Sequence, residues 1–259
     1  MIELAALTCR IGTRTLLQDI SLRLAPSCIA VIGPNGAGKS TLLRLCADGG
    51  RHLPRHSVSG ALMLDQQPLH DIAADALASR RAFLPQQHAE ALHLAVADIL
   101  ELAAWPHGGS LPRESSELAT RLWELERLLP RRYDELSGGE RQRVQLARTW
   151  LQMRLHSVPA ERIWLLDEPQ NALDLPHQQR LRECLRAEAD AGALVMFSTH
   201  DINFALRTAD IIVALKEGRL HASGSPAQMA DPDLLQDVFG VAFDRLAHPV
   251  DGRPWLLPH

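Results

Sequence analysis

The chain has 259 residues, 46% of them hydrophobic and 22% charged, with a formal net charge of −4. That length buries a sizeable core as one large domain or as a domain carrying a subdomain, and the composition excludes a mainly disordered chain. Basic residues are scattered rather than gathered into a tract, which disfavours nucleic acid as a partner. The longest apolar runs, CIAVI and ALVMF, stop well short of the roughly 18 residues that a bilayer-crossing helix needs.

The N-terminus, MIELAALTCRIG, carries Glu3 and lacks a basic region ahead of a long apolar core. It does not read as a secretory signal, and the chain is expected to stay in the cytoplasm. Short strand-like pieces, IELAAL, DISLRL and CIAVIG, follow one another with turns between them and predict an antiparallel β layer feeding a central strand. Cys9, Cys28, Cys46 and Cys184 form no C-x-x-C pair and are expected as reduced, buried thiols. The twelve histidines show no ligand spacing that suggests zinc.

Immediately after CIAVI comes GPNGAGKST, built from Gly33, Pro34, Asn35, Gly36, Ala37, Gly38, Lys39, Ser40 and Thr41. Glycines at this spacing let the backbone turn its N–H groups onto phosphate oxygens, while the helix that follows adds the partial positive charge of its N-terminus. Lys39 reaches the terminal phosphates and Ser40 would ligate Mg2+. An ordinary glycine-rich turn matches such a pattern by chance. The apolar strand before it and the helical periodicity of TLLRLCA after it supply the context that a nucleotide loop needs.

From Asp98 to Leu129 the pattern turns helical, in DILELAAW and ESSELATRLWELERLL, joined by the loop PHGGSLP. In the second of these Leu118, Leu122, Leu125 and Leu129 recur at helical spacing, and a packing stripe is expected. LSGGERQRVQLAR opens another helix at Ser137, Gly138 and Gly139, a second N-terminus able to take an anion. RIWLLDEPQ then describes a buried strand whose Asp167 emerges at the sheet's C-terminal edge, where magnesium needs a second support. Glu168, next in line, is placed to polarise water for attack on a γ-phosphate. Beyond it strand and helix patterns alternate through ALVMFST, INFALRTA and IIVAL, which implies a mainly parallel, helix-covered sheet and an α/β fold.

LSGGE resembles the signature motif of the ATP-binding cassette (ABC) ATPases, and further motifs then fall into that family's order. Gln86, in FLPQQ, is similar to the glutamine-loop residue that touches magnesium and water. Asp174, in NALD, is similar to the D-loop aspartate. His200, in STHD, is similar to the switch histidine at the γ-phosphate, and its place directly after ALVMFST agrees with that role. The resemblance covers essentially the whole chain. It implies an ABC ATPase fold over residues 1–259 with a helical signature subdomain at about 88–150, ATP as substrate and Mg2+ as cofactor. It also implies two copies facing head to tail, so that Ser137, Gly138 and Gly139 of one complete the nucleotide site of the other.

Two positions depart from the family pattern. Ile11 stands where an aromatic residue usually stacks on adenine, a loss of about 1 kcal/mol of stacking, and Gln170 stands where many cassettes carry threonine. With one cassette, no membrane segment and no coiled-coil insertion, the resemblance narrows to ATPases of importers for iron chelates, haem and vitamin B12, with haem favoured from RVQLAR, ALDLPHQ and PHGG. EPQNALD and the FDRL ending also resemble the vitamin B12 branch, and a ferric siderophore remains a third cargo. The implied partners are an integral membrane permease dimer and, indirectly, a periplasmic substrate-binding protein, at the cytoplasmic face of the inner membrane. In such importers the segment after the glutamine loop docks the permease. A soluble cassette acting on nucleic acid is the alternative of another class.

Overall fold

A computed structural model describes residues 1–54, 57–86, 93–248 and 252–259. The first two strands, β1 (Ile2–Ile11) and β2 (Arg14–Leu24), form an antiparallel hairpin about Gly12 and Thr13. Their alternation of apolar and polar residues buries Ile2, Leu4, Leu7 and Cys9 on one face. Register shifts on either side of Leu7 accompany the left-handed backbone of Ala6, and they keep Leu7 facing the core rather than solvent.

The strand β3 (Cys28–Ile32) is buried along its whole length and runs into α1 (Lys39–Asp48). Next come β4 (Val58–Leu64) and β5 (Gln67–Pro68), which join the first hairpin in a four-stranded sheet of order β2-β1-β4-β5. Helix α2 (Ala74–Arg80) leads to β6 (Arg81–Leu84), and a helical stretch follows with α3 (Val96–Glu101), a 3-10 segment at Leu102–His107, α4 (Arg113–Leu122) and α5 (Gly138–Arg154). The chain then alternates through β7 (Ile163–Leu166), α6 (Leu175–Asp190), β8 (Leu194–Ser198), α7 (Ile202–Thr208) and β9 (Ile211–Lys216). It closes with β10 (Arg219–Gly224), α8 (Pro226–Met229), α9 (Pro232–Phe239) and the hairpin of β11 (Phe243–Ala247) and β12 (Pro254–Pro258).

The second sheet has the order β10-β9-β3-β8-β7-β6. All its neighbours are parallel except the β10 edge. Strands buried on both faces must be apolar throughout, and CIAVI, IWLL and LVMFS meet that demand. Because β3, β8 and β7 are adjacent, the loops leaving their C-terminal ends share one edge of the sheet. The expected antiparallel layer and mainly parallel sheet are both present.

One expected element is different. The sequence ESSELATRLWELERLL does not form a single helix: α4 ends at Leu122, and Glu124 takes a left-handed backbone conformation, φ +53°. Arg143 Nη1 on α5 donates to the carbonyls of Trp123 and Glu124, 2.8 Å each, and so caps the break from a distance. Leu118 is exposed while Leu125 is fully buried, so the four leucines make no common helical stripe. All four cysteines are free and buried, and burial pushes the Cys28 and Cys46 thiols up to about 12.

Candidate functional site

The loop between β3 and α1 is shaped by glycines at two points where nothing larger fits. Gly33 has φ +144°, and a Cβ there would lie 2.2 Å from the Leu215 carbonyl oxygen. Gly38 has φ +100° and would meet Leu17 Cδ2 at 2.6 Å and Leu16 O at 2.9 Å. Gly38 also caps α1 without a side chain, which leaves the first-turn N–H groups of the helix available to an anion. Gly33→Ala is expected to cost about 1–3 kcal/mol through backbone strain, visible as a fall of several degrees in Tm. An unchanged Tm would contradict this close approach of loop and strand.

Lys39 is buried and points back into the loop, where Nζ donates to Gly33 O at 2.7 Å and Pro34 O at 3.1 Å. Burial lowers its pKa from the usual lysine value, opposed by the nearby carboxylates of Glu168 and Asp167. A cleft of about 390 Å3 lies over this loop, lined by Asn35 to Thr41 together with Arg14, Leu16, Gln86 and Glu168. A hollow of about 130 Å3 shares Leu16, Ser40 and Thr41 with it and has Ile11, Arg44 and His52 on its walls. Ile11 therefore sits beside the phosphate loop, offering apolar contact but no ring. A larger concavity of about 860 Å3 lies between α6, α7 and the C-terminal hairpin, but it contains none of the phosphate-loop residues. Chemistry rather than size selects the smaller cleft.

The acidic pair sits where the strand order predicts. Asp167 is buried, its N–H donates to Leu84 O at 2.8 Å, and its Oδ1 accepts from Ser198 Oγ at 2.5 Å. Glu168 adopts φ +49°, and its N–H donates to the same Ser198 Oγ at 2.9 Å. One carboxylate oxygen, Oε2, accepts from Gln86 Nε2 at 3.1 Å and from Asn171 Nδ2 at 2.6 Å. The other, Oε1, lies 4.0 Å from His200 Nδ1, whose ring is 61% exposed. The fold thus gathers Gln86, Glu168 and His200 from the ends of three strands. Ser198 and Asn171 complete the support of the acid pair and were not singled out in the sequence. A hydroxyl two residues before the histidine, and an amide three residues after Glu168, are the local signals that point to them.

Ser137, Gly138, Gly139 and Asp174 are not brought to this cleft. Ser137 caps α5 by accepting from Glu140 N at 3.3 Å while donating its own N–H to Glu140 Oε2 at 2.8 Å. That backbone hydrogen bond holds the Glu140 carboxyl below its usual range. A Cβ on Gly139 would lie 2.7 Å from Ala172 O, and Gln142 Nε2 donates to Pro169 O at 2.8 Å. Asp174 caps α6 by accepting from His177 N at 3.1 Å. Ser137, Gly138 and Asp174 are exposed, at the N-terminal caps of α5 and α6, and do not line the cleft over the chain's own phosphate loop. Among the described residues no cluster of three or more histidine, cysteine or acidic side chains is arranged to hold a metal.

A profile of the ABC transporter family matches residues 17–171. The Hemin import ATP-binding protein HmuV of Bordetella pertussis (strain Tohama I) is 41% identical over 258 residues, covering 97% of each chain. That of Rhodopseudomonas palustris (strain BisB18) is 40% identical over 96% of this chain and 91% of its own. Among solved structures, the dimeric bacterial ABC transporter cassette MJ0796 superposes with TM-score 0.73 at 27% identity, over 87% of this chain and 99% of that one. An ATP-binding subunit of an ABC transporter gives TM-score 0.75 at 26% identity, over 93% and 95%.

Proposed function

Because the chain belongs to the ABC transporter family, we propose that it is the ATP-hydrolysing subunit of a hemin importer, acting as a pair of identical cassettes beneath a separate membrane permease. The observation that carries the cargo is 41% identity over 97% of both chains to a hemin-import subunit. The pairing is supported by the dimeric cassette whose fold this chain shares and by the exposure of Ser137 and Gly138. Among the described residues no helix is long and apolar enough to cross a membrane, so the association we propose is peripheral, at the cytoplasmic face of the inner membrane. A periplasmic binding protein would hand cargo to the permease without touching this chain.

In this reading the N–H groups from Asn35 to Thr41 hold the ATP phosphates and Lys39 turns from the loop carbonyls to the terminal phosphates. Ser40, Gln86 and Asp167 present a hydroxyl, an amide oxygen and a carboxylate, an all-oxygen donor set that suits Mg2+. Ser40 and Gln86 line the same cleft, and Gln86 binds Glu168 through its nitrogen, which leaves its oxygen for the cation. When bound, Mg2+ neutralises charge on the phosphates. Glu168 orients and deprotonates the attacking water, and His200 steadies the γ-phosphate.

Ser137, Gly138 and Gly139 of the second copy close over the nucleotide, with Asp174 beside them, and the motion of closure and reopening is the output. We assign residues at about 88–150 to a helical signature subdomain inserted within the cassette. The stretch just after Gln86, where the resemblance places permease docking, begins with residues 87–92, which lie outside the described residues.

The test is uptake. In a strain lacking only this gene, hemin uptake is expected to fail, to return with the wild-type chain and not with Glu168→Gln, while vitamin B12 uptake stays intact. Intact hemin uptake with failed B12 uptake would keep the motor and change the cargo. If both remained intact, the importer reading would be wrong.

A further inference from the structure

We propose that Gln170 is a positioning residue for hydrolysis, holding the His200 loop against the Glu168 loop through the hydroxyl of Thr199; the inference rests on the ATPase reading given above. Gln170 lies two residues beyond Glu168 in the turn that leaves β7, and only 6% of it is exposed. A long polar side chain in that position needs a partner. Its partner comes from the other catalytic loop: Gln170 Nε2 donates to Thr199 Oγ1, on the residue immediately before His200.

Thr199 is itself fully buried and fixed on three sides. Its N–H donates to Val31 O at 3.1 Å, which ties it to the strand that enters the phosphate loop. Its hydroxyl also accepts from Asp201 N at 2.9 Å, so the same oxygen bears on the backbone on both sides of His200. The third tie is Gln170. The Gln170–Thr199 bond stands in either orientation of the amide. With the amide turned over, the Thr199 hydroxyl donates to the Gln170 oxygen and still accepts from Asp201 N–H.

Ser198 makes a second bridge to the acid loop one residue earlier, where its hydroxyl serves Asp167 Oδ1 and Glu168 N. That bridge fixes the base of the two loops. The Gln170 bridge lies beyond it, next to the histidine, and sets the approach of His200 Nδ1 to Glu168 Oε1, 4.0 Å in this structure. The His200 side chain is 61% exposed, and among the described residues its ring has one ion-pair partner, Glu168, so its placement leans on the backbone that carries it. Misplacement of a reacting group by even an ångström is costly. Gln170 touches no substrate atom in this scheme and acts only through Thr199 and His200.

The experiment uses the purified full chain with Mg-ATP. Gln170→Leu, which keeps the bulk and removes the amide, is expected to lower kcat roughly tenfold or more with the KM for ATP within about twofold of wild type. In the same variant the ring 13Cε1 resonance of His200, identified by its absence from His200→Ala, should shift in position, which a general loss of packing stability would not single out. If Gln170→Leu fails to fold, Thr199→Val removes the same bond from the other side, and Thr199→Ser, which keeps the hydroxyl, should stand well above it in kcat.

An unchanged kcat, a loss carried by KM, or a fall in kcat with the His200 resonance unmoved would each overturn the positioning role. The ATPase reading fails separately, and visibly, if the wild-type chain does not hydrolyse ATP or if His200→Ala is as active as wild type.

Discussion

Glu168→Gln should leave ATP bound and all but stop its hydrolysis, with turnover lower by roughly a hundredfold or more, the scale of a lost general base. The substitution suits the geometry. Two donors, Gln86 Nε2 and Asn171 Nδ2, converge on one oxygen of Glu168, and an amide can offer them its own oxygen while its NH2 takes the other position, facing His200. The strained backbone at this residue is fixed by its N–H bond to Ser198, which the substitution does not touch. What disappears is the capacity to take a proton from water. Phosphate release measured beside binding of a fluorescent ATP analogue separates the two effects, and near-normal turnover would remove Glu168 from its role.

Lys39→Ala should fail at the earlier step. The lysine ammonium is held by Gly33 O and Pro34 O inside the loop, at the entrance to a cleft whose other contributions are backbone N–H groups and the end of α1. Its charge is the main full positive charge that the loop itself can bring to the terminal phosphates. A hydrogen bond to a charged group contributes about 1.5–3 kcal/mol, so ATP affinity is expected to fall by roughly ten- to a hundredfold or more. The alanine variant also leaves two loop carbonyls without their donor, which loosens the empty loop. Titration calorimetry checks the prediction, and normal affinity would contradict the assignment of this loop. The two variants fail differently: one binds without cleaving, the other barely binds.

The phosphate loop and the strand leading to Asp167 were legible because their chemistry is local: a short run of chain supplies the glycines, the lysine and the helix end together. The nearness of His200 to Glu168 needed the strand order as well, which the alternation of fully apolar strands with helices implied, whereas Gln86 was placed by resemblance. The end of α4 was not legible. Leu125 and Leu129 keep helical spacing after Leu122, yet the backbone turns at Glu124, where Arg143, distant in the chain, takes the freed carbonyls. Periodicity records which residues are buried, not whether one helix buries them. Gln170 was visible only as a departure from a family pattern. Its meaning depends on Thr199, a residue distant in the chain and adjacent only in the fold. The terminal hairpin was not read from the sequence, and its hold on α7, through paired hydrogen bonds between Asn203 and the backbone of Leu256, is tertiary.

The carbonyl of Ala172 sits where a side chain on Gly139 would be, and Gln142 clasps the carbonyl of Pro169. The turn beyond Glu168 and the start of α5 are therefore in contact within one chain. In the head-to-tail pair proposed above, the turn after Glu168 and the signature helix start of each copy would be in direct contact. A displacement of either turn would be passed to the other through these two carbonyls, so the pair behaves as a hinge pin rather than as two separate loops.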